Sequence, residues 1–159
     1  MTRIGVGYDV HRLDDGEDLY IGGVKIPSNV GSVGHSDGDA LCHAIVDALL
    51  GAVGLGDIGK YFPSSDDSWK DVQSSVFLID ALSKINNAGF NINNIDTTII
   101  IQKPRLENHV LQIRENLSKI IDLDDSKINV KATTTDGLGI IGDGQGWAVL
   151  AVVSLIKIS

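Results

Sequence analysis

A chain of 159 residues, 43% hydrophobic and 21% charged, has the size and composition of one folded domain and is neither disordered nor disulfide-rich. Thirteen basic against 21 acidic residues leave a net charge of −8, which argues against a general nucleic-acid or anionic-membrane binder, because both need a basic footprint. No apolar run reaches the roughly 18 residues of a membrane span, and Cys42, the single cysteine, cannot close an internal disulfide and fits a reducing compartment.

Residues 3–11 alternate. Ile4, Val6, Tyr8 and Val10 point one way and Gly5, Gly7, Asp9 and His11 the other, the pattern of a half-buried strand. Because that strand begins at once, no leader peptide is expected. A turn at Asp14-Asp15-Gly16 leads to a predicted strand over 19–26, then to a Gly- and Ser-rich loop over 29–38. The spacing of Leu41, Ile45, Leu49 and Ala52 predicts a helix over 39–53, with Asp39, His43 and Asp47 on another face and Gly54 and Gly56 ending it. A long loop over 56–71, of the length that is often functional, precedes a helix over 72–88 closed by Gly89, then a strand over 92–102. Pro104 is placed to open a third helix, striped by Leu106, Val110, Ile113, Leu117 and Ile120. In a strand over 127–135, Ile128, Val130, Ala132 and Thr134 share one face, and a glycine-dense loop over 137–146 follows.

The last strand, 147–156, is apolar on both faces and so needs two covers, the second of which can be another subunit. Trp147, Val149 and Ala151 are candidates for core or inter-subunit packing. The order β-β-α-α-β-α-β-β predicts a single α/β domain of the sandwich kind, a mixed sheet with helices packed on one face.

Asp9 and His11 stand two residues apart on a strand and project from one face, so a carboxylate and an imidazole can converge on one ion. His43, on the polar stripe of the first helix, would complete a three-ligand set that suits Zn²⁺ best and leaves a fourth position open. The competing reading is bland: D-x-H is common, and no spacing rule joins residue 11 to residue 43. The run Gly34-His35-Ser36-Asp37-Gly38-Asp39 could offer backbone N–H groups to a phosphate, or could simply cap the helix after it. Residues 131–137, KATTTDG, could hold phosphate oxygens and a hard cation at Asp136, or could be a β-branched strand and its turn. A nucleophile elbow, a P-loop and a dinucleotide fingerprint are all missing.

Taken together, GYDVHRL at 7–13, GHSDGDALCHAIVDALLGA at 34–52, GLGDIGKYFP at 54–63 and KATTTDGLG at 131–139 closely resemble the 2-C-methyl-D-erythritol 2,4-cyclodiphosphate synthases of the non-mevalonate isoprenoid pathway. The likeness runs from residue 3 to about 157. It implies a homotrimer with three active sites at subunit interfaces. It also implies a cyclisation in which the 2-phosphate of 4-diphosphocytidyl-2-C-methyl-D-erythritol 2-phosphate attacks its own diphosphate and releases CMP.

Carried over by resemblance, the zinc ligands fall on Asp9, His11 and His43, and a Mg²⁺ or Mn²⁺ bridging the diphosphate falls near Asp136, where many relatives have Glu. His35 and Thr134 take the transition-state-stabilising positions. His35 and Ser36, with Phe62, Pro63, Ser64, Ser65 and Asp66, would hold the methylerythritol phosphate end, beside Val10. Asp57, Ile58 and Gly59 lie where the family contacts the erythritol hydroxyls. Ile101, Gln102, Lys103, Pro104, Arg105, Leu106 and Glu107 of a neighbouring subunit would receive the cytosine. Thr133, Thr134, Thr135 and Asp136 would hold the cytidine diphosphate, with Ile140 close by.

Two departures stand out. Ser64 replaces an Asp that often follows the proline. Asp143 sits where many bacterial members place an arginine facing a trimer cavity, so no isoprenoid diphosphate is expected there. The resemblance implies a metal-dependent cyclising lyase of the bacterial cytoplasm, with a metal-dependent phosphohydrolase and a structural zinc trimer as competing readings.

Overall fold

In the computed structural model, which describes residues 1–158, the chain begins with β1 (Thr2–Asp15), β2 (Leu19–Ile21), β3 (Val24–Ile26) and β4 (Val30–Val33). Helices α1 (Ala40–Ala52), α2 (Ile58–Tyr61) and α3 (Ser75–Asn87) come next. The rest alternates: β5 (Phe90–Ile100), α4 (Val110–Ile121), β6 (Ile128–Thr133), α5 (Gly139–Gly142) and β7 (Gly146–Lys157). Five strands make one mixed sheet in the order β4-β1-β7-β5-β6, in which only β5 and β6 run parallel, and α1 packs across β1 and β7. This is the predicted sandwich.

Gly5 and Gly7 decide how the two layers meet. A Cβ on Gly7 would lie 1.8 Å from the Ala44 carbonyl oxygen, and one on Gly5 would lie 1.8 Å from that of Ala48. The backbone of α1 therefore rides directly on β1, and nearly every α1 side chain is buried. The apolar half of the β1 alternation consequently faces away from the helices: Ile4, Val6 and Tyr8 are 68%, 61% and 59% exposed. On β7, Trp147, Val149, Ala151, Val153 and Leu155 are fully buried on the helix side, while Leu150, Val152 and Ile156 lie on the open side, about 40% exposed. Trp147, Val149 and Ala151 are thus core residues of one chain. Their neighbours on the opposite face are the uncovered ones.

Five expectations are corrected. The strand over 19–26 is a hairpin, β2 and β3, because Gly22 and Gly23 both adopt positive φ at its middle and turn the chain back. The loop over 29–38 contains β4, which pairs with the far end of β1. The 56–71 segment contains α2 and a 3₁₀ turn at Asp67–Trp69. Pro104 does not open a helix; the Leu106 carbonyl accepts the N–H groups of His109 and Val110 in a turn, and α4 starts at Val110. Leu106 still reaches the core, but from that turn. The strand expected over 127–135 is β6, which ends at Thr133; its alternation is buried at Ile128 and Val130 only, and Ala132 and the following Thr134 are exposed.

Candidate metal centre and active-site cavity

Because α1 stands on Gly7, His43 comes down beside Asp9 and His11. His11 Nε2 lies 2.9 Å from Asp9 Oδ2 and 3.2 Å from His43 Nδ1, and that Nδ1 lies 3.3 Å from the same Asp9 oxygen. The opposite nitrogen of each ring is committed to the protein. His11 Nδ1 donates to the Val33 carbonyl at 3.3 Å, and His43 Nε2 lies in hydrogen-bond contact with Ser74 Oγ at 2.8 Å. Each ring thus turns its other nitrogen toward the Asp9 carboxylate. Three ligand atoms within 4.8 Å of one another and partly shielded from water form a set that fits a divalent cation.

Electrostatics point the same way. Burial alone would raise the Asp9 carboxyl, but hydrogen bonds and charge from His11 and His43 outweigh it and hold the group well below the usual carboxylate range. Burial would lower His11, yet the Asp9 hydrogen bond and charge, with the Val33 carbonyl, raise it.

The start of α1 is fixed by Asp39, a fully buried carboxylate that accepts from Cys42 N at 3.1 Å, Gly22 N at 3.0 Å and Gly23 N at 2.7 Å. Asp39 thus caps the helix and ties the β2–β3 hairpin to it. Asp37 accepts from Asp39 N at 3.2 Å and Ser74 N at 2.9 Å, as well as from Ser74 Oγ. The capping reading of the 34–39 run holds for Asp39, whereas Asp37 braces the backbone at Asp39 and the side chain and backbone of Ser74. Cys42 is buried against α1's neighbours, and burial pushes its thiol up, so it is no nucleophile.

Against the histidines opens a cavity of about 260 Å³, lined by His11, His35, Ser36, His43, Ile58, Gly59, Phe62, Ser64, Trp69 and Phe77. Asp47 on α1 accepts Ile58 N at 2.7 Å, and Asp57 caps α2 by accepting Lys60 N at 3.0 Å, which together place 57–59 at the rim. His35 Nε2 donates to the Asp66 carbonyl at 2.9 Å, and Asp66 N donates to the Pro63 carbonyl at 3.0 Å, so the loop through Ser65 folds over His35. Phe62 packs against Phe77 and Trp69 at ring-centroid distances of 4.5 and 4.9 Å, forming an apolar wall. Ser74, Trp69 and Phe77 were not legible as site residues; a Ser at a helix start reads as a cap, and isolated aromatics read as core. A larger depression, about 620 Å³, opens on the other side of Ser36 between Glu17, Asp37, Asp71 and Asn116, and no histidine lines it.

The remaining expected site residues form a second cluster. Ile101 N donates to the Thr133 carbonyl at 3.0 Å, and Gly137 N donates to Gln102 Oε1 at 3.2 Å, which joins 101–107 to 133–137. Asp136 N donates to Thr134 Oγ1 at 3.2 Å, and Thr135 Oγ1 donates to the Leu138 carbonyl at 2.7 Å. Lys103, Arg105, Glu107, Asp136 and Ile140 are exposed. Register relates the two clusters: Val10 pairs with Ala148, Ala148 with Ile100, and Ile100 with Thr133. They occupy the same end of the sheet but lie three strand spacings apart, roughly 14 Å. Asp136 is not among the three convergent metal-type ligands.

Fold and site together define a small α/β protein with a three-ligand candidate metal centre open to a largely apolar cavity. A family model described as the YgbB family matches residues 2–156. A 2-C-methyl-D-erythritol 2,4-cyclodiphosphate synthase of Alkaliphilus oremlandii is 50% identical over 155 residues, 98% of this chain and 99% of the relative. A solved structure of the bifunctional IspDF from Campylobacter jejuni superposes with a TM-score of 0.96 at 41% identity, over 100% of this chain and 43% of that one. The CDP complex of Plasmodium falciparum IspF superposes with a TM-score of 0.87 at 38% identity, covering 99% and 97%. The chain belongs to the YgbB family, the 2-C-methyl-D-erythritol 2,4-cyclodiphosphate synthases. Among the described residues no helix is long and apolar enough to cross a membrane.

Proposed function

We propose that the chain converts 4-diphosphocytidyl-2-C-methyl-D-erythritol 2-phosphate to 2-C-methyl-D-erythritol 2,4-cyclodiphosphate and CMP, as a metal-dependent phosphorus–oxygen lyase. Family membership makes it an enzyme of isoprenoid-precursor biosynthesis, and cyclisation is its step. The observation that carries the metal-dependent reading is the gathering of one ligand atom each from Asp9, His11 and His43 within 4.8 Å of one another beside the cavity. Bound there, zinc or another divalent cation supplies Lewis acidity toward phosphate oxygens, as does a Mg²⁺ or Mn²⁺ carried with the diphosphate near Asp136.

The nucleophile belongs to the substrate. An oxygen of its 2-phosphate attacks the β-phosphorus, the bond from that phosphorus to the oxygen shared with the α-phosphate breaks, and CMP departs with that oxygen. The protein's task is therefore to bring two ends of one molecule together and to exclude water. His35 and Ser36, with the loop from Phe62 to Asp66, hold the phosphate end. Asp57 and Gly59 meet the erythritol hydroxyls, and the Phe62–Trp69–Phe77 wall keeps water from competing. Thr133 to Asp136 hold the diphosphate, His35 and Thr134 stabilise charge on it, and the 101–107 turn receives the cytosine.

With the clusters roughly 14 Å apart across one sheet, a neighbouring chain completes each site. The assembly is a homotrimer with three interfacial sites. Support comes from the uncovered apolar face of β1 and β7, where Val6 stands opposite Val152 and Tyr8 opposite Leu150. Asp143, exposed after α5, offers an isoprenoid diphosphate no cation. The bacterial cytoplasm is the expected location.

Product mass spectrometry tests the reaction. The expected result is cyclic diphosphate plus CMP with Zn²⁺ and Mg²⁺ present and no product after chelation. A linear monophosphate would favour hydrolysis by water instead, and turnover unchanged by chelation would overturn the metal-dependent reading.

A further inference from the structure

We propose that Ser74 and Asp37 are a positioning pair that fixes the tautomer and ring orientation of His43, and so sets how tightly the three-ligand site holds its metal. The inference rests on reading Asp9, His11 and His43 as that site. Ser74 occupies the N-cap position of α3, yet its side chain makes no capping bond to the helix. A serine in that place ordinarily turns its oxygen to the exposed N–H groups of the first turn. Here the fully buried hydroxyl points the other way, 2.8 Å from His43 Nε2 and against Asp37 Oδ1.

The proton inventory leaves one arrangement. An ionised carboxylate only accepts, and the Asp37 oxygens already take N–H groups from Ser74 at 2.9 Å and Asp39 at 3.2 Å. The hydroxyl hydrogen of Ser74 therefore goes to Asp37, and the lone pair it has left accepts the proton on His43 Nε2. His43 Nδ1 is then bare and faces Asp9 and His11 at 3.3 and 3.2 Å. The opposite tautomer would place an N–H inside the metal site and two lone pairs against each other at Ser74. Ser36 Oγ, 3.1 Å from the same Nε2, is a second neighbour, but it belongs to the cavity lining and is available to substrate. Ser74 lines no part of that cavity and is fully buried, its hydroxyl lying 3.5 Å from Ser36 Oγ but in closer contact with His43 and Asp37. Partners of this kind typically change metal affinity by about 10–100-fold when removed.

The test uses Ser74→Ala and Asp37→Asn in the full chain. Zinc affinity is measured by competition with a chromophoric chelator, and the His43 tautomer by ¹⁵N–¹H correlation spectra of the metal-free protein. The expected results are a wild-type His43 protonated at Nε2, a mixed or Nδ1-protonated ring in both variants, and a zinc affinity lowered about 10–100-fold. Metal-free melting of Asp37→Asn should stay within about 4 °C of wild type, which separates positioning from general unfolding. A wild-type His43 protonated at Nδ1, or zinc affinity unchanged in a folded variant, would overturn the proposal. Should Ser74→Ala not fold, the wild-type tautomer and Asp37→Asn still decide. If wild type itself binds no zinc, the metal reading fails, and the tautomer spectrum alone passes judgement on the pair.

Discussion

Asp39 shows how one side chain can hold two elements. Its carboxylate is shared by the first turn of α1 and the Gly22-Gly23 turn of the hairpin, and none of it reaches solvent. Asp39→Ala strands three N–H groups, two of them beside the core. Losing a cap costs about 1 kcal/mol, and leaving further buried donors unpaired adds about 1–3 kcal/mol. The expected loss is about 3 kcal/mol, a fall of roughly 6–12 °C in the melting temperature of the metal-free protein. A shift too small to resolve by calorimetry would contradict this role. The metal ligands differ in how far the sequence reveals them. Asp9 and His11 are legible because a strand places i and i+2 on one face. His43 is joined to them only by the resemblance, since a helix contact across 32 residues has no spacing rule. Ser74 is hidden for a different reason: its sequence position reads as a cap, and only the structure shows the hydroxyl turned toward His43.

Helix α1 and strand β1 carry the argument at the next scale. Glycines at alternate strand positions mark a close backbone approach, and Gly5 and Gly7 are where α1 lies against the sheet. Gly7→Ala must push α1 outward against the Ala44 carbonyl and carry His43 away from Asp9 and His11. We expect about 3 kcal/mol of destabilisation and weakened zinc binding together. Gly51, on α1 itself, is the matching control: a Cβ there meets nothing within 4 Å, so Gly51→Ala should gain about 0.5–1 kcal/mol from helix propensity and leave zinc binding alone. Equal effects on zinc affinity from both substitutions would contradict the account. The alternation of β1 announces a strand but not which half faces the helices. In an ordinary strand the apolar half would, and here two glycines reverse the assignment. The hairpin at 19–26 escaped for a related reason, because the Gly-Gly turn is only two residues long and its flanking apolar residues read as one continuous run. Pro104 misled in the opposite sense, since a proline suits both the first turn of a helix and the loop before it.

At the scale of the whole molecule, one chain carries two clusters of candidate site residues and an uncovered apolar face. The candidate metal centre and its cavity belong to β1, α1 and the loops after them; the cluster proposed to hold the nucleotide belongs to β6 and the turn after β5. Both clusters lie at the same end of the sheet, one on the inner strand β1 and one on the edge strand β6, and the proposed head-to-tail ring would bring each against its complement on the next subunit. In the sequence the family resemblance implies such an assembly, and the last strand, apolar on both sides, points the same way; Leu150 and Val152 are its uncovered half. Subunit mixing tests the shared site directly. His43→Ala disables the metal half and Asp136→Ala the nucleotide half, so each variant alone should make little cyclic product. Coassembled in equal amounts, they should recover roughly one quarter of wild-type turnover, because one interface in four then pairs two intact halves. Coassembled oligomers that form no cyclic diphosphate above either variant alone would contradict a site completed by a neighbouring chain.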